Sequence, residues 1–315
     1  MTSLKAKRNK SLGTVTGKLV GAFALLVLML SLISAEEIKD WALAGLKLAA
    51  TSVIPSVFPF MVLSDFISST GLPGMGLFGR ALNNVFGLSP VCSGAIICGN
   101  LCGFPLGARM ATEEYRRGTI TKEELEDTIG PANNPSLAFV ISVVGVGFWG
   151  SVGKGIMLYI AVISATAAVG IVFKRKSINS RYSRDNIGQS YNLARSIKDA
   201  GIASVGIISY MVFFSSAAGL IHKLSGSELL CALISPLLEV GLGTSLISSC
   251  GLAEEVAFGL TAFALGFSGF SVHMQVRMLL PEDVSMRKYY SEKMLEGVLA
   301  GACAFITFPL TYYIF

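Results

Sequence analysis

Long blocks of this 315-residue chain hold no Asp, Glu, Lys or Arg, among them 19–35, 81–108, 128–153, 155–173, 200–221 and 297–315. A helix needs about 20 apolar residues to cross the hydrocarbon core of a bilayer, and several of these blocks reach that length. A water-soluble core of this size would show apolar stripes at helical spacing with charges between them. The chain is 52% hydrophobic and 14% charged. With its charge gathered outside the blocks, it is expected to be an all-α polytopic membrane protein. The candidate spans are 19–35, 42–67, 73–88, 89–109, 131–150, 154–173, 200–221, 229–249, 253–276 and 295–315, about ten transmembrane helices. Segment 73–88 is short, Gly-rich and carries Arg80, so it reads either as a crossing or as one arm of a re-entrant hairpin buried by protein.

Charge placement sets the expected topology. Residues 1–18 hold Lys5, Lys7, Arg8, Lys10 and Lys18 with no acid, and residues 174–198 hold seven basic residues against Asp185 alone. Basic loops stay on the cytoplasmic side, and counting 73–88 as a crossing puts both segments there. Because these residues flank apolar spans, topology explains them and no nucleic-acid partner is expected. Residues 1–35 have the outline of a signal peptide, but Ile33 stands where a small residue is usual before a cleavage site. An uncleaved first span is the expectation. The six cysteines all lie in apolar segments and read as small buried residues that imply no disulfide framework, with a metal-ligand reading left open for Cys98 and Cys102, which share a helical face.

A short phrase recurs. Gly103-Phe104-Pro105 and Gly269-Phe270-Ser271 each sit near the end of an apolar stretch, 166 residues apart, and the same offset pairs Lys122 with Lys288 and Ala138-Phe139 with Ala304-Phe305. Span parity then suggests two units of opposite orientation: 42–150 and 200–315, preceded by 1–41 and joined by the linker span and basic loop 151–199. Inverted repeats with broken helices are a transporter pattern, with the solute bound at the breaks. Within the first unit, Thr119–Thr128 reads as a short capped surface helix.

Several residues then stand out. Glu239 is the one ionised residue of 229–249. A carboxylate at mid-bilayer costs at least ~2.5 kcal/mol, so it reads as a coupling residue or, more simply, as a hydrogen bond between helices. Asn100, Gly103, Phe104 and Pro105 would interrupt one helix, and Ser268, Gly269, Phe270 and Ser271 another. Interruption frees backbone groups that a polar solute can satisfy, although small residues also serve close helix packing. His273 and Gln275 follow one turn on. Asn133 and Asn134 read either as a helix start or as amides at a cavity mouth. Arg109 reads as an anion partner or a boundary anchor. No nucleophile elbow, P-loop, dinucleotide fingerprint or metal-spaced carboxylate pair occurs, so neither an enzyme nor a cofactor is expected.

The phrases Pro55-Ser56-Val57-Phe58-Pro59-Phe60, Gly103-Phe104-Pro105-Leu106-Gly107-Ala108, Asn134-Pro135, Leu238-Glu239-Val240 and Gly269-Phe270-Ser271-Val272-His273-Met274-Gln275-Val276 together resemble the YlbJ (SpoVV) family of sporulation integral membrane proteins. That family lies within the nucleoside-recognition Gate domain proteins, which include spore maturation proteins and the Gate regions of ferrous-iron transporters. The resemblance implies a carrier-like helical fold similar to concentrative nucleoside transporters. It also implies a place in the bacterial cell membrane, at the outer forespore membrane during sporulation, and movement of dipicolinate toward the spore. The expected partners are therefore a small anionic solute and the lipid bilayer, with a homo-oligomer left open. Transport of a nucleoside or a metal ion, and a non-transporting role in spore assembly, are the alternatives.

Overall fold

The computed structural model describes residues 21–22, 24–70, 77–174 and 192–311. The basic N-terminal segment, the start of 73–88 and most of the basic loop after residue 174 lie outside the described residues. So does most of the leader-like stretch before Ala24. Among the described residues every regular element is helical. The order is α1 Ala24–Ile33, then α2 Ala35–Leu48, which runs through a π-helical turn, Ala49–Val53, into α3 Ile54–Thr70. Next come α4 Leu77–Phe86, α5 Pro90–Cys102, α6 Leu106–Arg116, α7 Lys122–Thr128, a wide π-helix Phe139–Phe148 and α8 Val152–Val172. The remainder is α9 Leu193–Ser225, α10 Glu228–Leu238, α11 Val240–Ser249, α12 Glu254–Phe267, α13 Gly269–Leu279 and α14 Arg287–Thr307.

Among the described residues, five helical stretches are long and apolar enough to cross a membrane: Ala35–Leu63, Val152–Val172, Leu193–Ser225, Glu254–Leu279 and Arg287–Leu310. Large apolar side chains stand on the outside, among them Ile33 at 83% and Ile306 at 74% exposure. Such a surface would aggregate in water and is at home against acyl chains. The protein is an α-helical polytopic membrane protein. One boundary differs from expectation. The polar stretch Glu36–Asp40 does not separate two spans but forms the first turns of α2. Glu36 and Glu37 there lie at the positive end of the helix dipole.

Close backbone contact holds the bundle together. Helices α12 and α14 meet through Gly259, Gly266, Gly297 and Gly301. A Cβ on Gly266 would lie 3.0 Å from the Gly297 Cα, and one on Gly301 would lie 3.1 Å from the Gly259 oxygen. Small residues let helices approach this closely where no hydrophobic force drives them together. Gly266 is thus a packing residue. In the first half, Gly99 of α5 and Gly107 of α6 both press on the Ala132 carbonyl, where an added Cβ would stand 1.9 and 2.0 Å away.

Helix α7 begins with a full capping box between Thr121 and Glu124, as its sequence suggested. It is not a surface helix, however, because Glu124, Leu125, Asp127 and Thr128 are buried. The chain from Ile129 to Ser136 is buried and non-helical. Expectation had placed a helix from 131. Irregular backbone at membrane depth needs partners within the protein, and this segment has them. Phe104 N donates to Asn134 O at 2.8 Å, and Asn100 Nδ2 donates to Pro131 O at 2.9 Å.

Gly99→Val and Gly107→Val are expected to abolish a monodisperse peak in detergent size-exclusion chromatography. Gly201→Ala, where an added Cβ meets nothing within 4 Å, is expected to leave that peak unchanged.

Candidate functional site

Three interruptions of helix converge. The first follows α5: Gly103 takes φ +91°, Phe104-Pro105 is a cis peptide, and α6 restarts at Leu106. A Cβ on Gly103 would sit 2.7 Å from Ser136 N, so only glycine fits both the dihedral and the contact. The second lies between α12 and α13, where Ser268 (φ +75°) and Gly269 (φ +73°) turn the chain through the left-handed region. The third is Glu239, in extended conformation between α10 and α11. Expectation had Glu239 in the middle of a continuous span. It is instead the N-cap of α11, and its Oε2 accepts from Leu242 N at 2.7 Å. The signal was present nearby in Pro236, which lies in the last turn of α10. The second and third breaks touch, since a Cβ on Gly269 would be 3.0 Å from Pro236 O and 3.3 Å from Val240 N.

Between the first and third breaks lies a narrow cavity. Its polar lining includes Ser136, Glu239 and Gln275, with Gly103 and Phe104 beside them and apolar walls from Val57, Met211 and Val272. Glu239 and Gln275 are each 2% exposed. Gln275 Nε2 reaches Ser271 Oγ at 3.3 Å, while its Oε1 has no hydrogen-bond partner. A buried amide oxygen left unpaired costs about 1–3 kcal/mol and is ready to accept from a solute or a water. Of the residues singled out in the sequence, Gly103, Phe104, Glu239 and Gln275 thus line one cavity. Ser271 holds Gln275 in place, and Ser136 is a member that the sequence reading missed.

The other candidates lie elsewhere. Phe270 is 42% exposed and packs edge-on against Phe267 and His273. Ser268 Oγ donates to Leu265 O at 3.2 Å. Pro105 is buried as the N-cap of α6. Arg109 lines a separate space of about 860 Å³ with Arg116 and Arg195, together with Glu113 and Asp199.

Asn100, Asn133, Asn134 and His273 join a buried polar network around an ion pair that the sequence reading did not foresee. Lys293 Nζ lies 2.9 Å from Glu296 Oε2, with the two side chains 0% and 1% exposed. Lys293 also donates to Asn134 Oδ1 at 2.7 Å and Asn133 O at 3.1 Å. Thr166 Oγ1 donates to Glu296 Oε1 at 2.8 Å, and Asn134 Nδ2 donates to Asn100 Oδ1 at 2.8 Å. Asn133 Nδ2 donates to Tyr289 Oη at 2.9 Å, and that hydroxyl faces His273 Nδ1 at 3.0 Å. The i, i+3 spacing of Lys293 and Glu296 was visible, but with the last span drawn from 295 the pair fell on its edge.

Removing one partner of a buried pair strands the other charge, at a cost of about 3–5 kcal/mol. Lys293→Met should therefore lower the thermal midpoint in detergent sharply. The double substitution Lys293→Met with Glu296→Leu should restore much of it, as read by a differential scanning assay.

No family model matches the chain, and neither does any solved structure. The sporulation integral membrane protein YlbJ of Bacillus subtilis (strain 168) is 22% identical to it over 347 aligned positions, which cover 96% of this chain and 85% of that protein. Together with the broken-helix phrases, this near full-length likeness supports the resemblance to the YlbJ family of sporulation integral membrane proteins.

Proposed function

We propose that the protein is a carrier that moves a small polar or anionic solute, dipicolinate, across the bacterial membrane during endospore formation. One observation carries this reading. The breaks at Gly103-Phe104 and Glu239 border one cavity that holds a carboxylate, Glu239, and an amide with an unpaired oxygen, Gln275, and the third break, at Ser268-Gly269, packs on the second. Irregular backbone around a cavity at membrane depth is the construction used by secondary transporters. The 166-residue recurrence supports reading 42–150 and 200–315 as inverted repeats that rock about the cavity in alternating access. The relative's printed description supports the sporulation role, and the family resemblance supplies dipicolinate and the outer forespore membrane.

The lining suits such a solute. Phe104 offers an aromatic face for an aromatic ring. Val240 and Gly241 bring the first turn of α11 to the cavity, and a helix N-terminus favours an anion. A dianion shares the cavity with Glu239 only when that carboxyl carries a proton, so carriage of dipicolinate through it is proton-coupled. No reaction is attributed to the protein.

Uptake of labelled dipicolinate into proteoliposomes, with a nucleoside as comparison, tests the reading. Saturable dipicolinate uptake is expected. Glu239→Gln should abolish its response to a pH gradient while leaving protein levels intact, because a glutamine can still cap α11. Gln275→Ala should weaken uptake about tenfold, the scale of one hydrogen bond to a charged group. Folded protein that moves neither solute would favour an assembly role.

A further inference from the structure

Beyond the Glu239 cavity, α14 carries a line of ionisable side chains at one-turn intervals: Lys288, Glu292 and Glu296. Residues four apart share a helix face. The line runs inward. The Lys288 side chain is 21% exposed, that of Glu292 4% and that of Glu296 1%. All three border a narrow space whose lining also includes Asp127 of α7 and Thr166 of α8. Lys288 Nζ lies 2.6 Å from Asp127 Oδ1 and 3.3 Å from Glu292 Oε1. Glu292 Oε2 is buried with no hydrogen-bond partner. Gly130 leaves room for that oxygen, since a Cβ there would lie 1.9 Å from it.

Two ammonium groups, Lys288 and Lys293, and three carboxylates, Asp127, Glu292 and Glu296, gather here. A buried carboxylate oxygen with no hydrogen-bond partner, such as Glu292 Oε2, is costly, and an intramembrane ionisable residue is a functional candidate by default. A metal ion is a poor fit, because the two ammonium groups already occupy the cation positions. No group of three His, Cys, Asp or Glu stands at metal-binding spacing among the described residues. A proton needs only the free oxygen of Glu292.

We infer that the Asp127–Lys288–Glu292–Glu296 cluster is a proton-exchange site, distinct from Glu239, with Glu292 Oε2 as the proton acceptor. The proton comes from water on the Lys288 side, forms an O–H bond at Glu292 and returns to water on release. The inference rests on the carrier reading for its consequence, which is coupling. A proton on Glu292 changes the field at the adjoining Glu296–Lys293 pair. Lys293 holds Asn133 O and Asn134 Oδ1, and Asn134 O holds Phe104 N at the first break. The groups that set the field at Glu292 are Lys288 and Glu296 on α14 and Asp127 on α7. Those at Lys293 are Glu292 and Glu296, with His273 of α13 on its far side.

Two measurements on purified full-length protein test the site. Infrared difference spectra across a pH titration, without solute, should show a carboxyl C=O band that appears on acidification and is absent in Glu292→Gln. In proteoliposomes, Glu292→Gln should lose dipicolinate accumulation driven by a pH gradient yet keep solute exchange at equal pH, and Glu292→Asp should keep both. An unchanged band in Glu292→Gln, undiminished pH-driven accumulation by that variant, or wild-type accumulation driven by sodium alone would overturn the inference. If wild-type protein moves no solute at all, the carrier reading fails and the spectrum decides alone. A Glu292-dependent band then upholds the site, and its absence removes it.

Discussion

A lysine ammonium and a glutamate carboxylate with almost no exposed surface constrain the rest of this fold. Each charge would cost several kcal/mol to withdraw from water, so each must be surrounded by well-placed partners. The Lys293–Glu296 pair recruits them from well-separated parts of the chain: Asn133 and Asn134 from the buried non-helical segment, Thr166 from α8, and Asn100 through Asn134. The need to satisfy the pair explains why eight consecutive residues, 129–136, stay irregular inside a helical bundle. It also explains why the first break is held where it is, because Asn134 uses its side chain on the network and its carbonyl on Phe104 N.

The cavity side of the molecule depends on that arrangement. Ser136 ends the irregular segment and lines the cavity, and Gly103 presses directly on it. Opposite, the break at Glu239 and the break at Ser268-Gly269 support one another by backbone contact. Glu239 spends one carboxylate oxygen on capping α11 and still borders the cavity. Structural and chemical roles therefore fall on the same residues, which is economical in a membrane, where any polar group must be justified by a partner.

Much of this was legible in the sequence. Uncharged blocks marked the helices, because lipid admits little else. Glycine, proline and the recurring phrase marked the breaks at 103–105 and 268–269, because those residues have distinctive backbone limits. The cap at Thr121 was equally plain. What could not be read was pairing across the fold. Asn133 and His273 looked like cavity groups because each is polar and near a break, yet both are turned toward Tyr289. Lys293 and Glu296 looked like the polar margin of a span, because their burial comes from α8 and the Asn133–Asn134 segment rather than from anything local. Glu239 was recognised as unusual, but an N-cap depends on where the backbone stops being helical, and Pro236, Gly241 and Gly243 weaken the helix around it without fixing where the break falls.

The glycine seam between α12 and α14 bears on how such a molecule can move. Where backbone meets backbone at Gly259, Gly266, Gly297 and Gly301, there are no long side chains to change rotamer and absorb a sliding displacement. The two helices are geared together and travel as a unit, taking the Lys293–Glu296 pair with them. In the proposed carrier, displacement is left to the joints where helix is already interrupted, and two of those joints, at Gly103-Phe104 and Glu239, are also walls of the cavity.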